Sequence, residues 1–141
     1  MILYVDTSAL VPLLVDEPTS AACGELWDAA DTITATPLAY IEAAAALALA
    51  ERLGRVSSHE SHEGTAILDA LWLVVHVIEL DQGLMAEAAR LAKVYGLRGY
   101  DATHCAAAVA VEDPELLASS GDGRLLAAWR SEGLAVRDTN A

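Results

Sequence analysis

Basic residues are scarce in this sequence for its size. Eight Lys and Arg face twenty-one Asp and Glu across 141 residues, a formal charge of -13 at neutral pH. A surface of that sign repels polyanions at long range, which excludes a nucleic-acid binder held by simple electrostatics. Long apolar runs are missing too: the longest, Ala43 to Ala50, falls far short of the ~20 residues of a membrane span. Of the two cysteines, Cys23 and Cys105, neither has a neighbour with which to form a metal knuckle. Residues Met1 to Asp6 carry neither the basic stretch nor the cleavage site of a secretory signal, so a reducing cytoplasm is the expected compartment.

A hydrophobic content of 55% excludes disorder, and the length suits one domain, residues 1–141. Short β-branched or apolar runs at Ile2–Val5, Thr32–Ala35, Leu73–Ile78, Leu116–Ser119 and Leu134–Val136 read as strands. Helical stretches separate them. One begins just after Asp6 and carries Pro12; a second starts after Pro18-Thr19-Ser20 and runs to Ala30, a third runs from Pro37 to about Leu53, and the Ser57-Ser58 pair caps a fourth through Leu71. Three more start near Asp81, Gly99 and Asp122. Gly54 and Gly96 stand where C-caps are expected. Strands apolar on both faces, alternating with helices, imply a parallel sheet covered on both sides.

Four carboxylates stand out by position. Asp6 follows the first strand directly, at the carboxyl end where open parallel sheets form ligand sites. Glu42 is the only charged residue between Pro37 and Ala50, so its helix has little solvated face and the carboxylate needs a buried partner: an arginine, a proton or a cation. Asp101 opens a helix with no further carboxylate until Glu112, and Asp122 sits between a strand and a helix in Ser120-Gly121-Asp122-Gly123. Taken singly, Asp6, Asp101 and Asp122 are as well explained as helix caps or Asx turns. Taken together, all four can face one rim of the sheet. Their mutual repulsion then calls for divalent cations, and oxygen donors without a Cys or His cluster suit Mg²⁺ or Mn²⁺ rather than zinc.

Four segments carry a family likeness: Asp6-Thr7-Ser8-Ala9-Leu10, Tyr40-Ile41-Glu42-Ala43, Gly99-Tyr100-Asp101-Ala102-Thr103-His104 and Ser120-Gly121-Asp122-Gly123-Arg124-Leu125. In order and spacing they resemble the signature of PIN-domain ribonucleases, and most of all the VapC toxins of toxin-antitoxin pairs. The resemblance implies a three-layer α/β/α sandwich on a central parallel sheet and a Mg²⁺-dependent endoribonuclease selective for single-stranded RNA. It further implies a homodimer and inhibition by a small VapB-type antitoxin. Asp6, Glu42, Asp101 and Asp122 match the family's acidic metal site, with Ser8 and Ser120 as polar neighbours. The departure is at Ser119-Ser120-Gly121, where many members carry a threonine two positions before the aspartate and Ser120 keeps only the hydroxyl.

His104 is a candidate for orienting Asp101 or touching substrate, and Arg98 and Arg124 are the candidate phosphate contacts. Tyr100 reads as a packing residue rather than a stacking platform. His59-Glu60-Ser61-His62-Glu63 fails as a metalloprotease motif because its histidines are three apart rather than four, and it reads as a solvated helix start. The alternatives are a metal-binding regulatory module that keeps the fold without turnover, and a metal phosphoesterase acting on DNA.

Overall fold

The computed structural model describes residues 1–141. Five strands form one sheet: β1 (Ile2–Val5), β2 (Thr32–Ala35), β3 (Val75–Val77), β4 (Leu116–Ser120) and β5 (Ala135–Asp138). Every pairing is parallel, in the order β3-β2-β1-β4-β5, with Leu3 beside Ile33 on one flank and Leu117 on the other. Parallel neighbours require crossovers, supplied here by helices α1 (Thr7–Leu10), α2 (Ser20–Ala29), α3 (Pro37–Arg52), α4 (Ser58–Trp72), α5 (Gln82–Tyr95), α6 (Gly99–Val111) and α7 (Gly123–Ser131).

Alternation along β1 divides the core in two. Leu3 and Val5 face a cluster built from α1, α3 and α4, including Leu10, Ala39, Ala43, Leu47 and Leu68. Tyr4 faces the opposite cluster, where α5, α6 and α7 contribute Leu91, Ala102, Cys105, Ala106, Leu125 and Trp129. This is the sheet covered on both sides that the alternating pattern implies, and the three-layer α/β/α sandwich that the family resemblance implies. Small side chains on α6 bring it close to the sheet and to α5, and all seven residues from Ala102 to Ala108 are buried.

Local chemistry sets the helix ends. Ser57 accepts from the Glu60 amide while Glu60 accepts from the Ser57 amide, a complete capping box that explains the polar start of α4. Asp81 caps α5, and Gly96 ends it in the left-handed region at φ 64°. Two expectations shift. The helix after Asp6 stops at Leu10 and tightens into a 3-10 turn over Val11–Leu13, because Pro12 cannot donate an amide. The third strand is only Val75–Val77, and Leu73 and Val74 lie exposed ahead of it.

The apolar stretch of α3 does not imply burial. Only Ala39, Ala43 and Leu47 of that helix are buried, whereas Ile41 is 59% and Leu49 45% exposed. A helix contacting the sheet along one narrow stripe leaves its other face open, whatever its composition. No helix is long and apolar enough to cross a membrane.

Candidate active site

The strand order itself locates a crevice. The chain winds outward from β1 through β2 to β3, then crosses back to place β4 on the other side of β1. The carboxyl ends of β1 and β4 therefore flank the point where the winding reverses, the usual ligand position in such sheets. Asp6 leaves β1 at that point, and Ser120-Gly121-Asp122 leaves β4 beside it. Glu42 arrives from the second turn of α3 and Asp101 from the first turn of α6. All four line one cleft of about 540 Å³, together with Thr7, Ser8, Glu17, Tyr100, His104, Thr139 and Asn140 among others. No Lys or Arg lines it.

Asp6 is the most enclosed, at 4% exposure. Ser8 donates to its Oδ1 at 2.7 Å, Ser120 donates to its Oδ2 at 2.6 Å, and the Ala9 amide donates to Oδ1 at 3.0 Å. The last contact caps α1, so the capping and site readings hold for the same side chain. Burial pushes the Asp6 carboxyl up, and neither nearby His104 nor these three donors fully offset it.

Glu42 is half-buried and paired. His104 Nε2 lies 3.0 Å from Glu42 Oε1, and the Thr7 hydroxyl donates to the same oxygen at 2.6 Å. Burial alone would raise this carboxyl, but the hydrogen bonds from His104 and Thr7 win and hold it below the ordinary glutamate value. His104, buried at 2% exposure, thus orients Glu42 rather than Asp101. The correction has a geometric cause: one helical turn along α6 carries the imidazole inward from Asp101, toward Tyr4 and α3.

Asp101 accepts from Arg98 Nε at 3.3 Å. Burial and then the charge of Asp122 push its carboxyl up, and Arg98 offsets this only in part. Asp122 caps α7 through the amides of Arg124 at 2.9 Å and Leu125 at 3.4 Å, while its own amide donates to Ser120 Oγ at 2.9 Å. Arg98 and Arg124 line a second cavity that shares Asp101 and Asp122 with the first. Tyr100 is 41% exposed with the Arg98 guanidinium 4.7 Å from its ring centre, so the expected packing role is overturned. It is the second residue of α6, where the helix start turns its side chain to the cleft.

Four contributors were not singled out in the sequence. Thr7 lay within a recognised segment, and its hydroxyl beside Asp6 was the available signal. Glu17 comes from the loop ahead of α2, with no strand end or periodicity to mark it. Thr139 and Asn140 reach the cleft from beyond β5: the Thr139 amide donates to the Ser120 carbonyl at 3.0 Å and Asn140 Nδ2 donates to the Gly121 carbonyl at 3.0 Å. That contact is between segments far apart in sequence, and no local pattern announces it.

No three His, Cys, Asp or Glu side chains close on a common point tightly enough to enclose a metal ion in this conformation. The donor chemistry nonetheless fits a hard divalent cation. The cleft offers carboxylate and hydroxyl oxygens, no cationic side chain lines it, and Asp6 and Asp101 are both raised as carboxylates lacking full compensation.

The PIN domain family profile matches residues 3–127. Ribonuclease VapC45 of Mycobacterium tuberculosis is 36% identical over 135 residues, covering 96% of this chain and 94% of that protein. Among solved structures, FitAcB from Neisseria gonorrhoeae superposes with a TM-score of 0.72 at 17% identity, covering 99% of this chain and 98% of that one. VapBC-1 from nontypeable Haemophilus influenzae does so at 0.65 and 13% identity, with full coverage of both chains. These structures share the central parallel sheet flanked by helices over nearly the whole chain. The chain belongs to the PIN-domain family.

Proposed function

We propose that the protein is a Mg²⁺-dependent endoribonuclease that cleaves single-stranded RNA and serves as the toxin of a VapBC-type toxin-antitoxin pair. One observation carries the reading: Asp6, Glu42, Asp101 and Asp122, from four separate elements, line a single cleft that no Lys or Arg lines, and only Asp101 is paired with an arginine, Arg98. The kinship with Ribonuclease VapC45 supports the choice of RNA as substrate.

Asp6, Glu42 and Asp101 would hold the cation, with Asp122 completing the set; Mn²⁺ is the expected substitute. When bound, such an ion supplies an activated water and charge neutralisation at the phosphate, giving 5' phosphate and 3' hydroxyl products. The chain's own residues do the positioning. Ser8 and Ser120 hold both oxygens of Asp6, and Thr7 and His104 hold one oxygen of Glu42. Arg98 and Arg124, on the adjoining cavity, are placed to contact flanking phosphates of the substrate.

The exposed apolar face of α3, with Ile41 and Leu49, supports burial against a second copy or an antitoxin helix, and VapBC-1 supports a VapB-type partner. An antitoxin arginine or lysine entering the acidic cleft would exclude the cation. Free, buried Cys23 and Cys105 suit a reducing cytoplasm.

Digestion of matched RNA and DNA strands by purified protein, with and without EDTA, tests this reading. RNA cleavage that needs Mg²⁺ and disappears in Asp6→Asn is expected. Preferential DNA cleavage would make the protein a DNA phosphoesterase, and metal binding without turnover a regulatory module.

A further inference from the structure

The Tyr4 side chain is fully buried in the core, yet its hydroxyl does not contribute to core packing alone. It lies 2.7 Å from Nδ1 of His104, and that imidazole nitrogen is its hydrogen-bond partner. The ring of Tyr4 is fixed from the other side by Trp129, edge-on at 5.7 Å. From His104 the chain of contacts continues through Nε2 to Glu42 Oε1 at 3.0 Å, where the Thr7 hydroxyl also arrives at 2.6 Å. A continuous line of hydrogen bonds thus runs from the sheet interior to the wall of the cleft.

Donor and acceptor roles follow from the ends of that line. As a carboxylate Glu42 accepts only, and at 3.0 Å from its Oε1 the His104 Nε2 is the donor. Tyr4 has one buried hydroxyl hydrogen, and in a neutral His104 with its own hydrogen on Nε2 the Nδ1 lone pair, 2.7 Å away, accepts it. The phenol and the carboxylate together favour the neutral tautomer in which Nδ1 accepts and Nε2 donates. Two donors converge on Oε1, whereas Glu42 Oε2 has no hydrogen bond within the protein.

We infer that Tyr4 and His104 are positioning residues for the proposed metal site, pinning Glu42 by Oε1 and so reserving Oε2 for a divalent cation. The inference rests on the proposed function, and it assigns Tyr4, a core residue in the first strand, a part in metal affinity. Hydrogen-bonded supports of this kind orient ligands, and their loss typically costs about 10-fold to 100-fold in metal affinity or activity.

The experiment combines ¹⁵N NMR of the unmodified protein with Mn²⁺ titration of Tyr4→Phe, His104→Gln and His104→Ala, followed by EPR and by RNA cleavage. NMR should find the His104 hydrogen on Nε2 and none on Nδ1. Tyr4→Phe keeps the ring packed against Trp129 and should weaken Mn²⁺ binding by about 10-fold or more. Its cleavage deficit should shrink as Mn²⁺ is raised, separating metal affinity from the rate of the loaded protein. His104→Gln, which retains an amide donor, should bind Mn²⁺ more tightly than His104→Ala. A hydrogen on Nδ1, unchanged Mn²⁺ affinity in Tyr4→Phe, or equal affinities for the two His104 variants would overturn the inference. Failure of the underlying reading looks different: the unmodified protein would then bind no Mn²⁺ or cleave no RNA, whichever tautomer His104 adopts.

Discussion

The Ser120 hydroxyl, at the end of β4, donates to Asp6 Oδ2 at 2.6 Å, and so ties the carboxyl ends of the two strands at the centre of the sheet. That bond orders a buried carboxylate without fully compensating its charge. Asp6 keeps a raised pKa, so its stabilising contribution is complete below the unfolded value near 3.8 and is lost as pH rises through the folded one. In EDTA at neutral pH, Asp6→Asn should melt at a higher temperature than the unmodified protein, although with Mg²⁺ it should have lost cleavage. The gain should vanish in scans near pH 3, where both side chains are neutral. A lower melting temperature for the variant at pH 7 would contradict the sign.

Gly121 marks a close approach rather than a special backbone angle. A Cβ there would lie 3.0 Å from Asn140 Nδ2 and 3.2 Å from Thr139 Oγ1. Gly121→Ala should therefore displace the tail or the Asp122 loop, at a cost of about 1 kcal/mol or more in stability. Adding Asn140→Ala removes the nearer of the two atoms and should recover part of that loss. Urea titrations of the single and double variants measure both effects.

Burial pushes the Cys105 thiol up to about 12, and Cys23 is raised by the same cause. Neither should be a thiolate at neutral pH, so a disulfide reagent such as DTNB should react with no thiol in the native protein and with both in denaturant. Rapid native labelling of either would show that the surrounding helices open readily.

The capping box of α4 lies away from the cleft, and it separates stability from activity. Ser57→Ala removes the acceptor for the Glu60 amide and should cost about 1 kcal/mol in chemical denaturation. Cleavage at a temperature where the protein stays folded should be unchanged.

Few cations can meet the substrate. If Arg98 and Arg124 supply the phosphate contacts, log KM for single-stranded RNA should rise with log salt with a slope of only about 1.4, two contacts at about 0.7 each. Much steeper dependence would require basic residues beyond these two.

The elements were largely legible because their signals are local. Strand β2 and helix α6 lie where apolar runs, a helix-starting glycine and a small-residue stretch placed them, and Asp81, Ser57 and Gly96 mark helix ends through backbone hydrogen bonds to near neighbours. The site acids were legible too, since each interrupts an apolar pattern or ends a strand. Tyr100 and the outer face of α3 were misread for one reason: composition records how apolar a segment is, and burial depends on what packs against it.

By itself, then, the sequence determined the parallel α/β architecture, the excess of negative charge and the identities of Asp6, Glu42, Asp101 and Asp122 as acids out of place. Only the tertiary structure decided that His104 serves Glu42, that Tyr4 stands behind it, and that Thr139 and Asn140 hold the loop of Asp122. Those pairings span 19 to 100 residues, from Asn140–Gly121 to Tyr4–His104, and are created when the strands take their order in the sheet. Hydrogen bonding is decided within about 3 Å, and no spacing rule along the chain fixes distances on that scale between separate elements.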